Sequence, residues 1–170
     1  MGGALSVVET SRLYGRLPAL ENLEEFVALM SHPRVAATLG GELTRGEYES
    51  MLRKDVAHWL VHDFGAWHAF ERSTDQLVGR IGSRVTPVEG VVEVELAWAV
   101  HPDHWGQGYA AELAAPARDL VFSRGISSVV AFTLADNAAS RRVMEKLGMT
   151  YERDIVHADL PHMLYRATRA

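Results

Sequence analysis

The sequence has no cysteine, which removes disulfides, thiolate metal sites and a cysteine nucleophile from consideration. It has no apolar run of the roughly 18 residues that a membrane-spanning helix needs. Residues 1–12 (MGGALSVVETSR) lack the basic start and long apolar stretch of a signal peptide. Cations are not in excess: 17 Lys and Arg face 22 Asp and Glu, for a formal charge of −5. That balance argues against a nucleic-acid surface, which carries a basic footprint. Repeats, low-complexity tracts and long linkers are also missing. What remains is 170 residues with 48% apolar and 23% charged content, the composition of a globular chain with a real core. One domain spanning 1–170 is expected, cytoplasmic, with no nucleic-acid or membrane partner.

The periodicity of the chain predicts its elements. Residues 7–17 read as an early strand stopped by Pro18. Leu20, Leu23, Phe26, Val27 and Met30 recur at helical spacing, with Asn22 as a candidate cap and His32-Pro33 as the end. Residues 35–39 lead to a joint at Gly40-Gly41. Thr44 and Glu47 have capping-box spacing at the head of a second helix closed by Gly65. Residues 66–71, 77–85 and 91–100 alternate as an antiparallel meander. A helix over 109–123 follows, with Pro116 inside it predicting a kink that costs about 3 kcal/mol if nothing compensates. A strand over 128–134, a helix over 137–147 ended by Gly148, and two closing strands over 149–156 and 162–168 complete the chain.

Residues 91–109 (VVEVELAWAVHPDHWGQGY) organise the rest. A strand leads through a proline turn into Gly106-Gln107-Gly108, and a helix starts at once. Glycines without side chains to block approach, followed by a helix N-terminus, present several N–H groups to a phosphate. A tight surface turn is the plain alternative. The run from Gly106 to Ala111 also matches a relaxed dinucleotide G-x-G-x-x-A, with Asp136 as the ribose acid. Against it, residues 101–105 separate the strand from the first glycine, and the preceding half is a meander rather than a βαβ unit. His58 and His62 have metal-ligand spacing on a helix, but no third ligand is apparent, so no metal is expected. Trp59 and Trp67 read as core and pocket wall.

Four stretches carry a resemblance: Glu9-Thr10-Ser11-Arg12-Leu13; residues 64–67 with Leu77-Val78-Gly79-Arg80-Ile81-Gly82; residues 95–100 with Pro102 and residues 105–112; and Asn137-Ala138-Ala139-Ser140 with residues 145–149. In this order they resemble the GNAT N-acetyltransferase family, nearest its RimJ/RimL-like branch of ribosomal-protein alanine acetyltransferases. The resemblance spans almost the whole chain. It implies an α/β GNAT acyl-CoA N-acyltransferase fold, a mixed seven-stranded sheet flanked by about four helices. It implies acetyl-CoA as cosubstrate, with the pyrophosphate on Trp105, Gly106, Gln107, Gly108, Tyr109 and Ala110. The pantetheine arm would lie along Ala97, Trp98, Ala99 and Val100, at a strand bulge whose N–H groups also polarise the thioester. Asn137 would bond that arm, and Ser140 would lie near the sulfur.

Arg142 and Lys146, one helical turn apart, could meet CoA phosphates or be ordinary solvated cations. Glu93 and Glu95 share a strand face, and the resemblance makes Glu95 the base that takes the amine proton; a salt-bridged carboxylate is the alternative. Many family members carry a tyrosine acid where this chain has Met144, leaving Ser140 to donate to the thiolate. Asp103 stands where the wider family has Gln or Arg, so it is expected to point away from the loop. His157, Asp159 and His162 border the acceptor site, where they read substrate or are solvated. The implied activity is direct acetyl transfer from CoA to a primary amine, of a small molecule or a protein N-terminus, without a covalent enzyme intermediate. A catalytically inactive acyl-CoA-binding regulatory module is the alternative. The acceptor is not legible, and a homodimer is left open.

Overall fold

In the computed structural model, which describes residues 7–170, the early strand expected over 7–17 is two strands, β1 (Val7–Glu9) and β2 (Leu13–Arg16). The first half of the segment read for a leader, residues 1–6, lies outside the described residues. Thr10 causes the split. Its hydroxyl accepts from the Leu13 N–H at 3.1 Å and its backbone N–H donates to the Leu13 carbonyl at 2.9 Å, so the chain folds back on itself. Val8 then pairs with Gly15.

Three helices follow: α1 (Leu23–Met30), α2 (Pro33–Ala36) and α3 (Arg45–His62). Asn22 holds the cap position of α1, but its amide donates to Glu25 at 2.9 Å instead of accepting from the backbone. The short helix α2 lies where a helix stop and a joint are expected. Pro33 stands at its first turn, where the missing N–H costs nothing, and His32 Nδ1 accepts from Arg34 N at 3.2 Å. The capping box of α3 is present, with Glu47 Oε2 accepting from Thr44 N at 2.7 Å.

Strands β3 (Ala66–Glu71), β4 (Leu77–Val88) and β5 (Val91–Val100) form the meander. Then come α4 (Tyr109–Ser123), β6 (Ser128–Leu134), α5 (Ala138–Lys146), β7 (Thr150–His157) and β8 (Leu160–Thr168). The sheet therefore has eight strands, in the order β1-β2-β3-β4-β5-β6-β8-β7, one more than expected because of the Thr10 turn. Among the described residues five α-helices replace the expected four because of α2. Helix α4 runs through Pro116 to Ser123. Leu113, Leu120 and Val121 are buried along it, and at about 1.5–3 kcal/mol each that packing outweighs the lost hydrogen bond.

Helices α4 and α5 pack on one face of the sheet, in a core that includes Leu96, Leu113, Val121, Met144 and Tyr165. Helices α1 to α3 pack on the other, around Phe26, Leu29, Tyr48 and Leu52. Arg80 of β4 fastens α3 to that face through a two-pronged pair with Asp55, both contacts at 2.6 Å. A smaller cluster of Val88, Val130, Ile155 and Leu164 lies under the tip of the β4–β5 hairpin.

One irregularity positions the site. Every neighbouring pair in the sheet is antiparallel except β5 and β6, which are parallel and paired only at Glu95↔Val130. Beyond Glu95, β5 stays bonded to β4 while β6 stays bonded to β8. The sheet opens there, leaving residues 97–100 with one free backbone edge. The register of β4 with β5 is continuous from Val88↔Val91 to Gly79↔Val100. The strand bulge expected near Trp98 is therefore absent, and the free edge comes from the parting of β5 and β6 instead.

Candidate active site

A cavity of about 440 Å³ occupies this opening. Its walls are the end of β5, the loop into α4, the start of α5 and the short helix α2. Of the residues expected to hold a cofactor, Trp98, Ala99, Val100, Trp105, Gly106, Gly108, Tyr109, Ala110, Asn137, Ser140, Arg142 and Lys146 line it. Ala97 and Gln107 do not. The Gln107 amide turns back to the Asp103 carbonyl at 3.2 Å.

The loop is built by conformation rather than by crowding. Gly106 and Gly108 have φ of +76° and +82°, a region that side chains other than glycine's enter with strain. Nothing lies within 4 Å of a Cβ placed at Gly106, and at Gly108 only Arg12 Nη2, at 3.6 Å. Gly108 is also the N-cap of α4 and offers no capping side chain. The first-turn N–H groups of α4 are thus left for an anion, and the helix dipole favours one there. Across the opening, Arg142 and Lys146 are exposed and, among the described residues, have no ion-pair partner.

Glu112, in the first turn of α4, would repel an anion if left alone. Burial would raise its pKa, but hydrogen bonds from Thr10 and Arg12 outweigh that and hold it below the usual carboxylate range. Thr10 Oγ1 donates at 2.6 Å, Arg12 N at 2.9 Å and Arg12 Nε at 2.7 Å. Asp103 is exposed and faces His101 at 3.6 Å. It lines a separate cavity with Glu25 and Asp75, away from the glycine loop.

At the other end, Trp98 Nε1 donates to Ser140 Oγ at 3.3 Å, which leaves the serine hydroxyl proton free to donate onward. Asn137 caps α5, its Oδ1 accepting from Ser140 N at 3.2 Å, so only its NH₂ remains for a ligand carbonyl. Met144 is 1% exposed in the core and does not line the cavity. Glu95 also lies off the cavity wall. It is 4% exposed, on the α1–α3 face, and Arg84 Nε donates to its Oε2 at 2.6 Å. Glu93, on the same face, is held by Arg166 at 2.8 and 3.0 Å.

His58 is not a free metal ligand. Nε2 accepts from Val85 N at 2.9 Å, so Nδ1 carries the proton and donates to the Phe64 carbonyl at 2.9 Å. Trp59 and Trp67 are both core. The sequence reading missed Val35, Thr38, His104, Ala139 and Val143 as cavity walls. The first two were hidden because α2 was not foreseen. Arg34 of α2 stacks over Trp105 at 4.6 Å, and Trp105 Nε1 donates to the Val100 carbonyl at 2.7 Å.

Residues 12–150 match the family profile described as an acetyltransferase (GNAT) domain. The chain belongs to this GNAT family. It is similar to the uncharacterized N-acetyltransferase YoaA of Bacillus subtilis, at 27% identity over 86% of this chain and 84% of that one. Among solved structures it resembles an acetyltransferase from Agrobacterium tumefaciens, with 26% identity, a TM-score of 0.85 and coverage of 99% and 98% of the two chains. The acetyltransferase from Salmonella typhimurium that modifies the N-terminal serine of ribosomal protein L7/L12 shares the fold, at 14% identity, a TM-score of 0.78 and coverage of 96% and 99%. Among the described residues, no helix is long and apolar enough to cross a membrane.

Proposed function

We propose that the protein is an acetyl-CoA-dependent N-acetyltransferase. The observation that carries this reading is the opening between β5 and β6, with uncapped N–H groups of α4 at one end and the Trp98–Ser140 pair at the other. The chemistry of the walls fits the cosubstrate: positive-φ glycines and two free cations for phosphates, a free strand edge and the Asn137 amide for pantetheine. The amine nitrogen attacks the thioester carbonyl, a C–N bond forms and the C–S bond breaks. The Ser140 hydroxyl donates to the departing sulfur. The acceptor ammonium gives its proton to a base before it attacks, and the negative charge of Glu95 favours the positive charge that passes from ammonium to base. The acceptor is a primary amine. The enzyme acts in the cytoplasm.

The test is release of free CoA thiol over a panel of small amines and peptide N-termini, with wild type and Glu95→Gln compared. Wild type is expected to turn over at least one amine, and Glu95→Gln to lose roughly tenfold or more in kcat/KM. Acetyl-CoA binding without amine-dependent thiol release on any of them would favour a regulatory module. If neither acetyl-CoA nor CoA raises Tm, the binding reading itself is wrong.

A further inference from the structure

Glu95 is a poor candidate for the final proton acceptor on geometry alone. It is 4% exposed and one carboxylate oxygen is committed to Arg84 Nε at 2.6 Å. A group with an uncommitted ring stands near it: His157 packs on Phe132, two residues along β6 from Val130, which is in register with Glu95. Strands β7 and β8 join through a two-residue turn at Ala158 and Asp159, both with positive φ (49° and 59°), and this sets His157 at the hairpin end. Its ring packs 4.7 Å from Phe132 of β6 and 5.4 Å from His162 of β8, nearly perpendicular to the latter. His162 is anchored in turn, its Nδ1 facing the Leu160 carbonyl at 3.0 Å. His157 is half-buried. Among the described residues, neither of its ring nitrogens has a hydrogen-bond partner.

We propose that His157 is the catalytic base, which takes the proton from the acceptor ammonium while Glu95 stabilises the imidazolium that results. This rests on the acetyl-transfer reading above. The step balances: R–NH₃⁺ gives one proton to His157, the freed lone pair forms the C–N bond, and the C–S bond breaks. A second amine proton leaves as the tetrahedral centre collapses, offsetting the one donated to the thiolate. His157 returns its proton to water.

The electrostatics around the ring agree with this task. Burial lowers the pKa of His157 below the ordinary imidazole value; the charge of Glu95 on β5 opposes, and His162 on β8 and Arg84 on β4 add to the lowering. The ring is therefore neutral, and able to accept a proton, at neutral pH. Glu95 compensates it only once it becomes charged. Arg84 holds Glu95 in place and has a positioning role.

The experiment has two readouts. The first is the pH dependence of kcat/KM for wild type and His157→Gln, with acetyl-CoA and the best amine of the panel. His157→Gln is expected to lower kcat about 10²-fold, to abolish the wild-type ascending limb near the histidine pKa, to keep the Tm rise with acetyl-CoA, and to regain rate with added imidazole. The second is an NMR titration of the His157 ring, which needs no turnover. Its pKa is expected below 6.5, and lower still in Glu95→Gln, where the opposing charge is gone. His157→Gln within twofold of wild type, with the limb intact, overturns the base assignment alone. A His157 ring that titrates without regard to Glu95 overturns the pairing. Wild-type enzyme inert towards every amine overturns both this inference and the acetyl-transfer reading.

Discussion

Ser140 and Glu95 are the residues where the difference between binding and chemistry can be measured. The Ser140 hydroxyl receives a bond from Trp98 and has one proton left to give. Its bond to sulfur strengthens as the thiolate forms, so it contributes mainly in the transition state. Ser140→Ala is expected to lower kcat roughly tenfold, about 1.4 kcal/mol, with the KM for acetyl-CoA within about twofold. Steady-state kinetics decide: a raised KM with kcat unchanged would assign the hydroxyl to ground-state binding instead. The role of Glu95 is legible in the strand alternation only as far as its face. That Arg84 bonds it there, and that β7 carries His157 to Phe132 on the strand next to it, depends on pairing across the five strands β4-β5-β6-β8-β7, which no local pattern encodes.

At the scale of elements, the α4 N-terminus and α5 face each other across the opening and act as a pair. Arg142 and Lys146 do not hold the fold together, because they lie exposed with no ion-pair partner among the described residues. Replacing both by alanine is expected to weaken acetyl-CoA binding about tenfold, to flatten its salt dependence, and to leave the Tm of the free protein unchanged. Calorimetric titrations at two ionic strengths measure this, and unchanged affinity would return both residues to the class of solvated cations. The glycine loop was readable because its residues are contiguous and each has a backbone reason to be there. The capping box at Thr44 was readable on the same grounds. The β1–β2 hairpin was not, since Thr10 turns the chain through one hydroxyl rather than through a glycine or proline. Nor was α2, because His32-Pro33 marks a helix start as well as a helix stop. Its loss from the reading concealed the Val35 and Thr38 wall of the cleft.

For the whole molecule, the groups held in one protonation state predict how stability varies with pH. His68 is 1% exposed and stacks 5.4 Å from Phe26. Among the described residues, both its ring nitrogens are buried without a partner. Burial, only partly offset by Asp55, lowers its pKa to about 4. Between pH 6.5 and 4 the unfolded chain therefore binds a proton that the folded chain refuses, and stability falls as pH falls through that window. At 1.36 kcal/mol per unit, the loss from this one group is on the order of 3 kcal/mol. Glu112 acts in the same direction lower down. Its folded pKa lies below the unfolded value, so its contribution is present above the unfolded pKa and is lost as pH drops through the folded one. Urea unfolding at pH 7.5 and pH 5 should show a lower midpoint at pH 5 in wild type. His68→Phe should abolish most of that difference without lowering stability at pH 7.5, since an apolar ring of similar shape replaces two unsatisfied nitrogens. A His68→Phe protein that remained as acid-sensitive as wild type would locate the titrating group elsewhere.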